Sequence, residues 1–169
     1  VPLERERFSA AEFGAELRGL LAGEIEEADC TFEVDTTDEV ELTADRERFR
    51  RAVINLIRNA YQACDGSGTV VLKMTAPDET HREVAVLDDG PGVSRERIDE
   101  MLTPFYTTKE KGSGLGLALA RQIVGQHGGE LSIDSEPGEG TTVEMTLPFD
   151  RDVDAKEDGQ PDVPEGWLG

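Results

Sequence analysis

The run Glu83-Val-Ala-Val-Leu-Asp88 carries apolar side chains on both faces, and a strand of that kind has to lie inside a sheet, with neighbours along both edges. Val84, Val86 and Asp88 share one face, so the Asp88 carboxylate ends a buried row and needs a hydrogen-bond donor there. Gly90-Pro91-Gly92 follows and leaves the backbone bare enough for a flat group to lie against it. A plain Asp-Gly turn accounts for the same residues when they are taken alone.

Around this strand the chain alternates helical and extended patterns. Ser9 with Glu12 forms a capping box, and an apolar stripe of Phe13, Leu17, Leu20 and Leu21 predicts a surface helix running on to about Asp29. "CTFEVDT" and "VELT" read as short strands joined by a Thr-Asp-Glu turn. Asp45 is the expected N-cap of a second helix that continues to about Ala63. "TVVLKMT" pairs with the central run, "SRERIDEML" is a short helix, and "LGLALARQIVGQH" is a third long one stopped by Gly128-Gly129. "GELSIDS" and "TTVEMTLP" close the pattern as an alternating pair. Helices segregated from largely hairpin-connected strands imply an α+β layered domain over residues 1–148. Residues 149–169 are acidic and rich in Pro and Gly, which predicts a disordered tail.

Charge narrows the function. With 37 acidic and 17 basic residues the net charge is −20, which argues against nucleic acid or an anionic membrane as partner. No apolar run approaches the ~20 residues of a membrane-spanning helix. Cys30 and Cys64 fit neither a disulfide framework nor a metal cluster, and read as two small apolar residues in a reducing compartment.

The second helix poses a question of its own. Phe49, Ala52, Val53, Leu56, Ile57, Ala60 and Ala63 form one apolar stripe at helical spacing. Asn55, Asn59 and Gln62 stack along one edge of that stripe, although asparagine costs a helix interior roughly 0.5 kcal/mol relative to alanine. Carboxamide oxygens at the rim of a core suit a hard cation that keeps part of its water, such as Mg²⁺. An exocyclic amine of adenine would likewise satisfy Asp88. Gly112, Gly114 and Gly116 run into a helix start, where free N–H groups and the helix dipole favour an anion. Lys109 and Lys111, half of the chain's four lysines, stand just before them, as a triphosphate requires. The glycines also suit a lid. The stretch is not a Walker A loop, because the Gly-Lys-Ser/Thr ending is absent.

In this order the motifs resemble those of the ATP-binding catalytic domain of two-component sensor histidine kinases, a family grouped with gyrase, chaperone and mismatch-repair ATPases (the GHKL superfamily). "NLIRNAYQA" is similar to the N box, "DDGPG" to the G1 box, "TPFYTTK" to the F box and "GSGLGL" to the G2 box. The run "PFYTTKEKGSGLGLALARQIVGQHGG" resembles the nitrogen-regulator type in particular. The resemblance implies a mixed, mostly antiparallel sheet of about five strands under about three helices. It implies Asn59 as principal Mg²⁺ ligand with Asn55 beside it near the phosphates, Asp88 as acceptor for the adenine amine, and Gly90 and Gly92 as walls of the adenine pocket. Thr141 matches a threonine that contacts adenine through water. Thr108, Lys109 and the lid residues Gly112, Gly114, Leu115 and Gly116 would close over the phosphates.

Two departures carry meaning. Many sensor kinases have lysine where this chain has Gln62, and Lys109 is the candidate to replace its phosphate contact. The hydrolysing ATPases and the serine kinases of the group place glutamate where this chain has Asn55. An amide cannot accept a proton from water, so transfer to an external nucleophile is expected rather than hydrolysis. Neither His81 nor His127 stands in a His-Glu context. The chain, which starts at Val1, is therefore read as an excised catalytic domain. It is expected to be monomeric and cytoplasmic, free or tethered to a membrane through a parent protein. A histidine-bearing dimerisation domain is the direct partner and a response regulator the indirect one. Phe105 suits either docking on the dimerisation helices or packing in the lid. The competing readings are a nucleotide-binding module without transfer activity and a stand-alone ATPase.

Overall fold

The computed structural model describes residues 2–64, 68–102 and 116–155. The chain runs β1 (Glu6–Ser9), α1 (Ala10–Leu20), α2 (Ala22–Ala28), β2 (Thr31–Asp35), β3 (Glu41–Ala44), α3 (Arg46–Cys64), β4 (Thr69–Thr75), β5 (His81–Asp88), α4 (Arg95–Met101), α5 (Gly116–Gln126), β6 (Glu130–Ser135) and β7 (Thr141–Pro148). Five strands form one mixed sheet in the order β2-β4-β5-β7-β6, in which only β2 and β4 run parallel. β5 is central, as its two apolar faces require. A separate two-stranded ribbon pairs β1 with β3.

The layers follow from side-chain periodicity. Val70, Leu72 and Met74 of β4, Val84 and Val86 of β5, and Val143, Met145 and Leu147 of β7 line one buried face. Against it lie Phe13 and Leu17 of α1, the stripe of α3, and Leu117, Ala120, Ile123 and Val124 of α5. Gly14 lets α1 sit close to β2, since a Cβ there would come within 2.5 Å of Val34 Cγ1. The opposite face carries Lys73, Glu83, Thr142 and Glu144, so the sandwich has two layers. Among the described residues there are five helical segments where about three were expected; α2 and α4 have seven residues each and bury none.

Both predicted caps form. Ser9 Oγ accepts the Glu12 N–H at 3.2 Å, and Asp45 Oδ1 accepts the Arg48 N–H at 3.2 Å. The strand pair expected from "CTFEVDT" and "VELT" does not. β2 pairs instead with β4, Phe32 opposite Val70 and Val34 opposite Leu72, and β3 pairs with β1. A parallel pair needs a long crossover, and β3 with α3 supplies it. β1 has one inward residue, Phe8, too short a pattern to stand out in sequence. The first helix breaks at Leu21, leaving Leu20 58% exposed and outside the stripe.

Two buried polar groups join elements. His127, 2% exposed, accepts the Asp45 N–H on Nε2 at 3.0 Å. Its Nδ1–H therefore donates to Ile123 O at 2.7 Å, and the neutral ring ties the end of α5 to the start of α3. The Arg82 guanidinium donates to the carbonyls of Glu41, Asp78 and His81 and lies 3.7 Å over the Phe149 ring. The described part of the acidic tail, 149–155, packs back on the domain. Phe149 N–H donates to Thr80 O at 2.8 Å, Thr43 Oγ1 to Asp150 O at 3.0 Å, and Arg7 N–H to Asp154 O at 3.1 Å. No helix among the described residues is long and apolar enough to cross a membrane.

Candidate functional site

Asp88 ends β5 on the same face as Val84 and Val86, and lies between Val70 of β4 and Thr141 of β7. Its Oδ1 accepts the Gly90 N–H at 2.9 Å. Burial pushes its pKa above the ordinary aspartate value; the hydrogen bonds from Gly90 and the Thr141 backbone offset part of that rise, and neighbouring Asp89 adds to it. A half-buried carboxylate in this state gains from a further donor, which a ligand amine would provide.

Thr141 is held by a small hydroxyl network. Ser135 Oγ accepts the Val93 N–H at 2.9 Å and donates to Gly140 O at 2.8 Å. The 2.8 Å contact between the two hydroxyls is then donated by Thr141, whose oxygen keeps its lone pairs for a ligand or water. Asp88, Ser135 and Thr141 border one cavity of about 340 Å³, with Glu136 and Glu139 at its acidic rim.

Gly90 and Gly92 are required first by the protein's own packing. A Cβ on Gly90 would stand 2.9 Å from Ala63 O at the end of α3, and one on Gly92, whose φ is +71°, would collide with Glu136 O. The loop is thereby clamped between α3 and the β6–β7 turn. Asp89 adds a further tie, its Oδ1 accepting the Thr69 N–H at 2.9 Å.

On α3, Asn55 and Asn59 are half-buried and Gln62 is exposed, along the edge of a stripe that is buried from Phe49 to Ala60 and half-buried at Ala63. Neither asparagine amide finds a hydrogen-bond partner among the described residues. Among those residues no group of three His, Cys, Asp or Glu could hold a metal. Gly116 opens α5, as expected. Thr108, Lys109, Gly112, Gly114 and Leu115, with Phe105 and Lys111, lie outside the described residues. The structure thus brings Asp88, Gly90, Gly92 and Thr141 together beside the end of α3. Sequence reasoning missed Ser135 and Asp89. The adjacency of Ser135 to Thr141 depends on β6–β7 register, which single residues do not signal, whereas the doubled Asp88-Asp89 was visible in the sequence.

Residues 44–151 match the family model described as histidine kinase-, DNA gyrase B- and HSP90-like ATPase. Sporulation kinase C of Bacillus subtilis (strain 168) is 37% identical over 116 residues, covering 69% of this chain and 27% of that protein. Sensor histidine kinase ZraS of Escherichia coli (strain K12) is 38% identical over 109 residues, covering 64% and 23%. The chain spans about a quarter of the length of these curated relatives. Among solved structures, the nucleotide-free catalytic domain of histidine kinase ThkA superposes with a TM-score of 0.78 at 28% identity, covering 87% of this chain and 97% of that one. ThkA in complex with the response regulator protein TrrA gives a TM-score of 0.75 at 26% identity, covering 88% and 42%.

Proposed function

The chain belongs to the family of histidine kinase-, DNA gyrase B- and HSP90-like ATPases, and from that membership we propose that it binds Mg·ATP and donates the γ-phosphoryl group to a histidine on a separate dimerisation domain. Its place is then the catalytic part of a cytoplasmic two-component sensor kinase whose phosphoryl group passes on to a response regulator, the kind of protein with which ThkA forms a complex. The observation that carries the reading is the half-buried Asp88 carboxylate beside a threonine oxygen with free lone pairs, in a fold shared with kinase catalytic domains.

Asp88 accepts the adenine amine, Thr141 holds a bridging water, and the loop from Gly90 to Gly92 flanks the base. Asn59, with Asn55 one turn before it, offers amide oxygens to Mg²⁺, and the half-burial of both at the edge of the α3 stripe fits that role. The ion, when bound, neutralises part of the phosphate charge. Lys109 and Thr108, with the backbone amides of Gly112, Gly114, Leu115 and Gly116, complete the phosphate end, and Gln62 lies at its edge. Asn55 cannot serve as a base toward water, so the incoming imidazole is the nucleophile and this chain supplies position and charge. The isolated domain acts as a monomer that meets its acceptor in solution.

The test is to mix the chain with labelled ATP and a separately made histidine-bearing hairpin. Label on the hairpin supports transfer. Nucleotide bound but never transferred would indicate a binding module, and free phosphate without hairpin would indicate an ATPase.

A further inference from the structure

Cys30 and Cys64 are both free and each is 7% exposed. Cys30 precedes β2, whose first residue Thr31 donates its N–H to Gly68 O at 2.9 Å. Cys64 closes α3 with its sulfur turned to the same Gly68, where a Cβ would sit 3.3 Å from Sγ. The two thiols flank one glycine and neighbour each other, 34 positions apart in the chain. Cys64 Sγ also donates to Asp89 Oδ1 at 3.8 Å, the oxygen that accepts the Thr69 N–H. Cys30 Sγ donates to Ala28 O at 3.5 Å, at the end of α2. α2 buries none of its residues and ends on Asp29 at φ 56°, a left-handed conformation that a side chain disfavours. The Glu24–Arg58 ion pair and half-buried Ile25 and Ala28 hold this segment without a fully buried residue, so it is the part whose local opening uncovers Cys30.

We propose that Cys30 and Cys64 form a reversible intrachain disulfide site, and that its oxidation weakens nucleotide binding at the adjoining Asp88–Gly92 loop. The second half rests on the nucleotide reading above; the first does not. A hydroperoxide converts the Cys30 thiol to a sulfenic acid and leaves as water or alcohol. Cys64 Sγ then attacks Cys30 Sγ: the S–S bond forms, the S–O bond breaks, the thiol proton passes by way of Asp89, and water departs. Burial, followed by the charges of Asp88 and the neighbouring Cys30 and Asp89, pushes the Cys64 thiol up to about 12, so Cys64 is not the first oxidised and attacks only as Asp89 Oδ1 takes its proton. Once oxidised, Cys64 no longer donates to Asp89, and the loop that Asp89 anchors loses one tie.

The experiment uses the full chain, reduced and then treated with a few equivalents of hydrogen peroxide. Expected are a mass loss of two hydrogens, no free thiol on denaturation, a Cys30–Cys64 linked peptide, and a rise in Tm of about 10 °C from the closed loop. Dithiothreitol should reverse each. ATP affinity, measured by calorimetry, should fall between about two- and tenfold on oxidation and stay unchanged by peroxide in Cys30→Ser. Free thiols persisting in peroxide, sulfinic acid on Cys30 alone, or links only between chains would overturn the site; peptide mapping of the parent chain decides this even if the variant fails to fold. A disulfide that leaves affinity unchanged overturns the coupling. A reduced chain with no affinity for ATP refutes the proposed function and the coupling, and leaves the disulfide standing.

Discussion

Replacing His127 by alanine removes the joint between α5 and α3, and its cost can be worked from the contacts. The Asp45 N–H loses its acceptor at 3.0 Å in a buried position, a penalty of about 1–3 kcal/mol. Ile123 O keeps the His127 main-chain N–H at 3.2 Å and is not orphaned. Loss of the ring beside Phe49, centroids 6.4 Å apart, adds about 1 kcal/mol of packing. The sum is about 3 kcal/mol, or 6–12 °C in Tm for a chain of roughly this size.

A pH arm separates the hydrogen bond from the packing. Burial lowers the His127 pKa below 6.5, the Ile123 carbonyl offsets part of that, and protonation would turn Nε2 from acceptor to donor against the Asp45 N–H. Below pH 6.5 the unfolded chain therefore binds more protons than the folded one. Stability from this group is whole above that pH. It falls as pH drops toward the folded pKa, by at most ~1.4 kcal/mol per unit. Urea unfolding of parent and His127→Ala between pH 5 and 8 should give curves that converge toward the acid side, with exposed His81 common to both. A gap under 1 kcal/mol at pH 8, or one independent of pH, would refute the neutral buried joint.

Three further outcomes follow from the site. Asn59→Ala should abolish most Mg-dependent nucleotide affinity in calorimetry while leaving Tm within a few degrees; retained affinity removes it as a ligand. Asp88→Asn should weaken ATP at least tenfold, because the new amide presents donors to the adenine amine, and the parent chain should prefer ATP to GTP in competition binding. Gly92→Ala should destabilise by about 2 kcal/mol or more, since its φ of +71° and the Glu136 carbonyl both oppose a Cβ; an unshifted urea midpoint would contradict the packing of that loop.

What sequence made legible was local and periodic. The α3 stripe lies buried from Phe49 to Ala60, Asp45 caps its helix, and β5 is central, with Ala85 and Leu87 adding apolar side chains to its second face. Asp88 could be placed at the end of its row by counting alternate residues. The features missed depend on partners distant in the chain. β1 exists because β3 is there to pair with it, and β2 turns from β3 to β4 because α3 carries the chain across. Ser135 reaches Thr141 only through register. Likewise, Cys30 is brought beside Gly68, and so toward Cys64, only once β2 and β4 have paired.

The attachment of residues 4–7 and 149–154 to one pole has a mechanical consequence. Glu4 N–H is bonded to Asp45 Oδ2, Arg7 to Asp154, and Phe149 to Thr80 at the start of β5. Asp88 stands at the far end of that strand, about 23 Å away at the usual rise per residue. Residues 4–7 and 149–154 therefore share that pole. A turn of some 10° there would sweep Asp88 through roughly 4 Å on that lever arm. The sheet thus works as a stiff boom, converting a slight twist at its foot into a displacement as wide as an atom at its tip.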